Sequence, residues 1–213
     1  DIYVPEEASM QAATGAKVVV EITQWPEGNL KAEGRIIEVL GQKGEPGVDV
    51  LSIMRQYDLS ETFPEEVQKA AEAIPQSING DDYIGKEGRQ DRRDLKIVTI
   101  DGEDAKDLDD GVYVEKKDDG SFFLGVYIAD VSWYVREKEP LDVEAEARGT
   151  SVYLVDRVVP MLPKALSNGI CSLNAGVDRL SMACEMHISP EGKVVDYKIL
   201  PVVIHVYRRL TYT

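Results

Sequence analysis

The chain has 213 residues, 43% of them hydrophobic, and carries 24 Lys+Arg against 39 Asp+Glu, a net charge of −15. That apolar share suits a packed protein and excludes a disordered one, and the length admits one large domain or two small ones. The charge excludes a molecule that is nucleic-acid-binding over its whole surface.

No stretch approaches the roughly 20 apolar residues of a membrane span, and no basic-then-apolar leader precedes the first strand. A cytoplasmic protein with no membrane partner is expected. Cys171 and Cys184 lie in apolar contexts without a CxxC pair or a histidine cluster, so both are read as free thiols in a reducing compartment.

Residues 2–4, 17–23, 34–40 and 48–53 read as short strands separated by Pro5, Gly15, Pro26-Glu27-Gly28 and Gly44-Glu45-Pro46-Gly47. Closely spaced strands predict a small β-barrel over residues 1–58, and OB-folds of this kind commonly carry single-stranded nucleic acid. Residues 1–83 hold 6 Lys+Arg against 16 Asp+Glu. Against that charge, Tyr3 and Trp25 are read as packing or supporting residues.

A helix is predicted over residues 60–74, with Ser60 or Thr62 as cap, Pro64 in the first turn and Glu65-Glu66 at the positive end. Its stripe of Val67, Ala70, Ala71 and Ile74 is read as a docking face. The helix and a linker together occupy residues 59–94. Lys86, Arg89, Arg92, Arg93 and Lys96 form either a basic lane for nucleic acid or a solvated linker.

From residue 95 to 213 the pattern is mixed α/β. Hairpins are predicted at Asp118-Asp119-Gly120-Ser121 and at Ser189-Pro190-Glu191-Gly192, and a short helix over residues 141–148 is stopped by Gly149. Overall the fold class is α+β: a small partial barrel followed by a mixed α/β domain.

One segment carries chemistry. Residues 100–110 hold Asp101, Glu103, Asp104, Asp107, Asp109 and Asp110 directly after the apolar run Ile97-Val98-Thr99-Ile100. Carboxylates held so close repel one another unless cations neutralise them, and oxygen-only ligands suit hard ions. An EF-hand fails in either register, because starting at Asp107 puts Val112 where Gly is required, and starting at Asp101 puts Lys106 there. A strand-loop-strand layout lets carboxylates from both ends of the loop converge on two ions about 4 Å apart. The residues alone leave three readings open: a catalytic metal site, a structural cation site and a solvated acidic loop.

The acidic run resembles the catalytic signature of the ribonuclease II/ribonuclease R family (the RNB domain). Further segments resemble that family in order: Gly125-Val126-Tyr127-Ile128-Ala129-Asp130-Val131-Ser132, Arg148-Gly149-Thr150-Ser151-Val152-Tyr153, Val159-Pro160-Met161-Leu162-Pro163, Leu166-Ser167-Asn168-Gly169-Ile170-Cys171-Ser172-Leu173-Asn174, Val177-Asp178-Arg179-Leu180 and Arg209-Leu210-Thr211-Tyr212. By this resemblance residues 1–58 belong to a cold-shock domain whose first strands precede Asp1, and residues 95–213 to the first half of the catalytic domain.

The resemblance implies a processive 3′→5′ exoribonuclease that releases nucleoside 5′-monophosphates with Mg²⁺, for which Mn²⁺ can substitute. Asp101, Asp107 and Asp110 would hold metal. Asp109 would hold the second ion or the end of the chain near the scissile phosphate, with Glu103 and Asp104 shaping the loop. Tyr153 takes the position of the family's base-stacking tyrosine, and Arg92, Arg93 and Lys96 are the remaining candidates for RNA contact. Trp133 departs from the family's His or Tyr and is read as packing. Asp130 is read as orienting or structural, and His187 and His205 are given no catalytic duty.

The implied partner is single-stranded RNA, with DNA excluded through the 2′-OH, and the protein is expected to be a monomer. Segments that grip the 3′-terminal phosphates would lie outside this sequence, so the chain alone is expected to be weakly active or inactive. The alternatives are a non-catalytic RNA-binding or regulatory module and a structural cation site.

Overall fold

The computed structural model describes residues 1–28 and 30–212. They group into two compact units, Asp1–Thr62 with Tyr153–Val159, and Phe63–Val152 with Pro160 onward.

The first unit is built on a three-stranded sheet of β1 (Ile2–Tyr3), β2 (Ala16–Gln24) and β3 (Ala32–Gln42), with β3 central. β2 and β3 pair antiparallel through several register shifts, and β1 runs parallel to β3. The stretch expected as a fourth strand is instead α1 (Val48–Gln56). Gly47, at φ 86°, turns the chain, Asp49 and Arg55 suit the two ends of the helix dipole, and Val48 and Met54 bury one face. Three β-branched residues, Val48, Val50 and Ile53, gave the run a strand-like look, but their helix penalty is only tenths of a kcal/mol and packing overrides it. Arg55 fixes α1 to the sheet by donating to both carboxylate oxygens of Glu38, at 2.6 and 2.8 Å. Tyr3 and Trp25, expected to pack or to support, are 60% and 72% exposed, so neither ring is packed in the core.

In the second unit α2 spans Glu65–Glu72, shorter than expected, and follows Pro64 without a side-chain cap. Ser60 Oγ and Thr62 Oγ1 lie 3.0 Å apart in a hydrogen bond just before it. Val67 and Ala71 are buried, with Ala70 and Ile74 beside them, among Leu141, Leu162, Leu166, Ile170 and Cys171. The docking face is therefore real. The region expected as a linker holds two single-turn helices, at Gly80–Asp82 and Lys86–Gly88.

There follow β4 (Gln90–Asp91), β5 (Val98–Asp101), β6 (Asp110–Lys116), β7 (Phe122–Ala129), α3 (Val131–Tyr134) and α4 (Pro140–Arg148), which Gly149 ends. After the short pair β8 (Val152–Tyr153) and β9 (Val158–Val159) come β10 (Asp178–Ile188), β11 (Val194–His205) and β12 (Arg208–Thr211). Both expected hairpins are present: Ser121 accepts from Lys117 at 2.8 Å in one, and Lys193 accepts from Ser189 at 2.8 Å in the other.

β8 and β9 pair only with each other, while β4–β7 and β10–β12 form a seven-stranded sheet in the order β12-β5-β6-β7-β10-β11-β4, antiparallel except at its parallel edges β12 and β4. One face carries the core of Ile97, Leu108, Tyr127, Ala129, Leu173, Ala183, Val202, Ile204 and Val206. The other face is open: Ile100, Val114, Ile128, Tyr197, Ile199 and Leu210 all project from it and all count as exposed. No helix among the described residues is long and apolar enough to cross a membrane.

Candidate active site

The acidic loop joins two neighbouring strands of the sheet. Asp101 is the last residue of β5, and Asp110 the first of β6. Register places Asp110 opposite Ile128, and the Asp109 carbonyl accepts from the Ala129 amide at 2.9 Å. On its other side Gly111 lets β6 lie close to the start of β5, since a Cβ there would lie 2.9 Å from Ile97 Cγ2. Between the two strands, Leu108 is 1% exposed and anchors the loop in the core.

Three fixings hold the loop from the side. Ser172 Oγ accepts from the Leu108 amide at 3.1 Å and donates to the Lys106 carbonyl at 2.9 Å. The Leu108 carbonyl accepts from the Leu173 amide at 2.8 Å. Arg209, beside β5 on β12, donates to the carbonyls of Gly102 and Glu103, both at 2.8 Å. Ser172 and Arg209 both lie in segments that resembled the family, yet neither was assigned a role. Their contacts cross 64 to 107 residues of chain, so no local pattern announces them. Glu103 and Asp104 are exposed on the loop, as suits shaping residues.

The fold brings the four aspartates into one electrostatic neighbourhood. Burial raises the pKa of Asp101, Asp110 and Asp107 raise it further, and Arg209 opposes them. The Asp109 carboxyl is also raised, first by desolvation and then by Asp107, Asp110 and Asp101. Its side chain reaches solvent, but enough protein surrounds it to penalise the charge. Asp101 Oδ2 is buried without a hydrogen-bond partner, which ordinarily costs about 1–3 kcal/mol or more. Among the described residues, no three carboxylate, imidazole or thiol groups converge as a ready-made metal cage. Donor chemistry and electrostatics nevertheless fit a hard cation: four carboxylates lie together, and Asp101 keeps a buried oxygen without a hydrogen-bond partner although Arg209 opposes its neighbours' charge.

The basic lane has a different geometry from either reading of the sequence. Arg89 is buried and donates to Asp130 at 2.6 Å, Arg92 grips Glu185 at 2.6 and 3.1 Å, and Arg93 pairs with Asp81, Asp91 and Asp178. These guanidiniums secure edge strand β4 to the sheet. Only Lys96 of the three RNA-contact candidates is without a carboxylate partner among the described residues.

Tyr153 is 67% exposed on β8. Asp130 is structural, accepting from Arg89 and Ser132, and Trp133 lies 5.1 and 4.8 Å from the guanidiniums of Arg89 and Arg136. His205 bonds to Asp178. Both cysteines are free, and burial pushes the Cys171 thiol up to about 12.

Comparison with known proteins agrees with this architecture. The RNB domain model matches residues 89–213, and the cold shock domain model matches residues 1–64. The chain belongs to the ribonuclease II/ribonuclease R (RNB-domain) family. Ribonuclease R of Thermotoga maritima is 49% identical over 214 residues, covering all of this chain and 30% of that protein. The chain thus spans under a third of the relative's length. RNase R of Mycoplasma genitalium, solved in complex with ribose-methylated single-stranded RNA, superposes with a TM-score of 0.91 at 31% identity, covering 99% of this chain and 32% of that one. Yeast Ssd1, a pseudonuclease, shares the fold at a TM-score of 0.74 and 18% identity over 99% of this chain and 27% of its own. The fold alone therefore does not establish catalysis, and the acids must be judged as they stand.

Proposed function

We propose that the protein containing this chain is a 3′→5′ exoribonuclease that hydrolyses single-stranded RNA to nucleoside 5′-monophosphates with divalent cations. The observation that carries this reading is Asp101, whose buried carboxylate oxygen lacks a partner within the field of Asp107, Asp109 and Asp110. That arrangement costs stability unless cations occupy it.

Asp101, Asp107 and Asp110 would hold the first ion, and Asp109 the second ion or the end of the RNA. Mg²⁺ is the expected cation, with Mn²⁺ able to replace it. Bound there, two cations would neutralise phosphate charge and supply a nucleophilic water at neutral pH. In the net reaction the oxygen of water bonds to phosphorus, and the bond from phosphorus to the preceding nucleotide's 3′-oxygen breaks. The proton ends on that oxygen. Tyr153 offers a ring for a base, a contact worth about 1–3 kcal/mol that needs no sequence readout. The RNA-bound state of the Mycoplasma relative supports the substrate class.

The test is a 5′-labelled single-stranded RNA given to the full-length protein, with Mg²⁺ or with chelator. Stepwise shortening from the 3′ end that stops with chelator, and no shortening of the matching DNA, is the expected result. Metal-independent cleavage would overturn the reading. We propose also that the 213-residue chain alone is weakly active or inactive, since it spans only 30% of the Thermotoga relative and electrostatic clamps outside it would contribute several kcal/mol.

Arg209 is a positioning residue in this scheme, holding the loop by two carbonyls. Arg209→Ala in the full-length enzyme is expected to slow turnover by about 10- to 100-fold and to speed amide exchange at residues 102–106. Arg209→Lys cannot reproduce the two-pronged grip and should recover only part. Wild-type exchange and turnover in both variants would remove Arg209 from the scheme.

A further inference from the structure

Tyr207 follows β11 and is 55% exposed. Its amide donates to the Ile97 carbonyl at 2.8 Å, which fixes it at the start of β5 and β12. Two cations lie against its ring, Lys96 Nζ at 5.7 Å and Arg208 Cζ at 5.6 Å from the centroid. All three side chains are exposed, and among the described residues neither cation pairs with a carboxylate.

This is unusual in a chain of net charge −15 whose nearby arginines, 89, 92 and 93, are all spent on internal partners. Register gives the cluster a direction. Arg208 pairs with Val98 and Thr211 with Asp101, so the cations stand about 10 Å before the acidic loop along the same strands. Alternation puts Arg208 on the sheet face that Asp110 also uses.

We propose that Lys96, Tyr207 and Arg208 form a contact site for the sugar-phosphate backbone of the RNA substrate, on the approach to the acidic loop. The proposal rests on the exoribonuclease reading above. Tyr207 acts by holding both cations extended through cation–π attraction, so that less side-chain freedom is lost when phosphate binds. Contacts to phosphate are blind to sequence, which suits an enzyme that consumes whatever strand it is given.

Affinity of the 213-residue chain for a fluorescent single-stranded oligoribonucleotide, measured across a salt series, tests this. Lys96→Gln/Arg208→Gln is expected to weaken binding equally for all sequences and to lower the slope of log K against log salt by about 1.4, two phosphates' worth. Tyr207→Phe should bind as wild type, and Tyr207→Ala should fall between wild type and the double variant. An unchanged slope and affinity in the double variant overturns the site while leaving the exoribonuclease reading intact. Absence of wild-type binding at the lowest salt, or displacement by polyglutamate but not by polyribonucleotide, overturns it too. Failure of the exoribonuclease reading itself is seen separately, as metal-independent cleavage by the full-length protein.

Discussion

Asp109→Asn is expected to lower metal-dependent RNA hydrolysis by the full-length protein at least about 100-fold, and to raise the melting temperature of the metal-free chain. The two effects have one cause. Asp109 is penalised by burial and by the charges of Asp107, Asp110 and Asp101, so the amide relieves a repulsion that the folded state otherwise bears. Its folded pKa lies above the ordinary carboxylate value of 3.8. The folded protein therefore holds that proton more tightly than the unfolded chain does. The associated stability is present below that ordinary value and is lost as pH rises through the folded pKa. The variant's advantage should accordingly be absent in acid and grow as pH rises through the folded pKa. Divalent cation should stabilise the wild type more than the variant, since cation supplies the charge that the amide makes unnecessary. Melting curves over a pH series, with and without Mg²⁺, read all of this. A variant that is less stable than wild type at neutral pH without metal would refute the electrostatic account, and one with full activity would refute the site.

Arg89→Met is expected to cost about 3–5 kcal/mol, which corresponds to a fall of roughly 6–20 °C in melting temperature for a domain of this size. The side chains of Arg89 and Asp130 are 1% and 5% exposed and meet at 2.6 Å. Arg89 also donates to the Val202 carbonyl at 3.1 Å, and Asp130 accepts from Ser132 at 2.8 Å. Methionine keeps much of the volume but leaves the Asp130 carboxylate buried without its counter-charge. Arg89→Met/Asp130→Asn should recover a large part of the loss, because the penalty belongs to the stranded charge rather than to the missing bond. Urea unfolding of the four members of the cycle measures the coupling. Additive single effects, or a cost below about 1 kcal/mol for Arg89→Met, would show that the pair does not act as a unit.

Much of the sheet was legible because its signals are local. The hairpin at Gly120 and the helix stop at Gly149 both rest on positive φ, 84° and 71°, and the acids stand at strand ends where the apolar run stops. What could not be read depends on partners far along the chain. Arg92 meets Glu185 across 93 residues, and Arg93 meets Asp178 across 85. A sequence displays those charges without showing that they are already neutralised. The helix at Val48–Gln56 was hidden for a related reason: its β-branched residues look alike in either element until one face finds something to bury against. The acidic loop shows both sides of this. Its metal-seeking composition is plain in the sequence, while the grip of Ser172 and Arg209 exists only once the fold has formed.

The open face of the seven-stranded sheet has a practical consequence for anyone handling this polypeptide alone. Isoleucine, valine, leucine and tyrosine side chains from five of the seven strands meet water there, on a face whose hydration is costly. Two molecules that meet face to face relieve that cost together, so losses to clumping should grow with the square of concentration. Dilute samples, mild detergent or a hydrophobic dye as reporter will therefore decide how much of the polypeptide stays in solution.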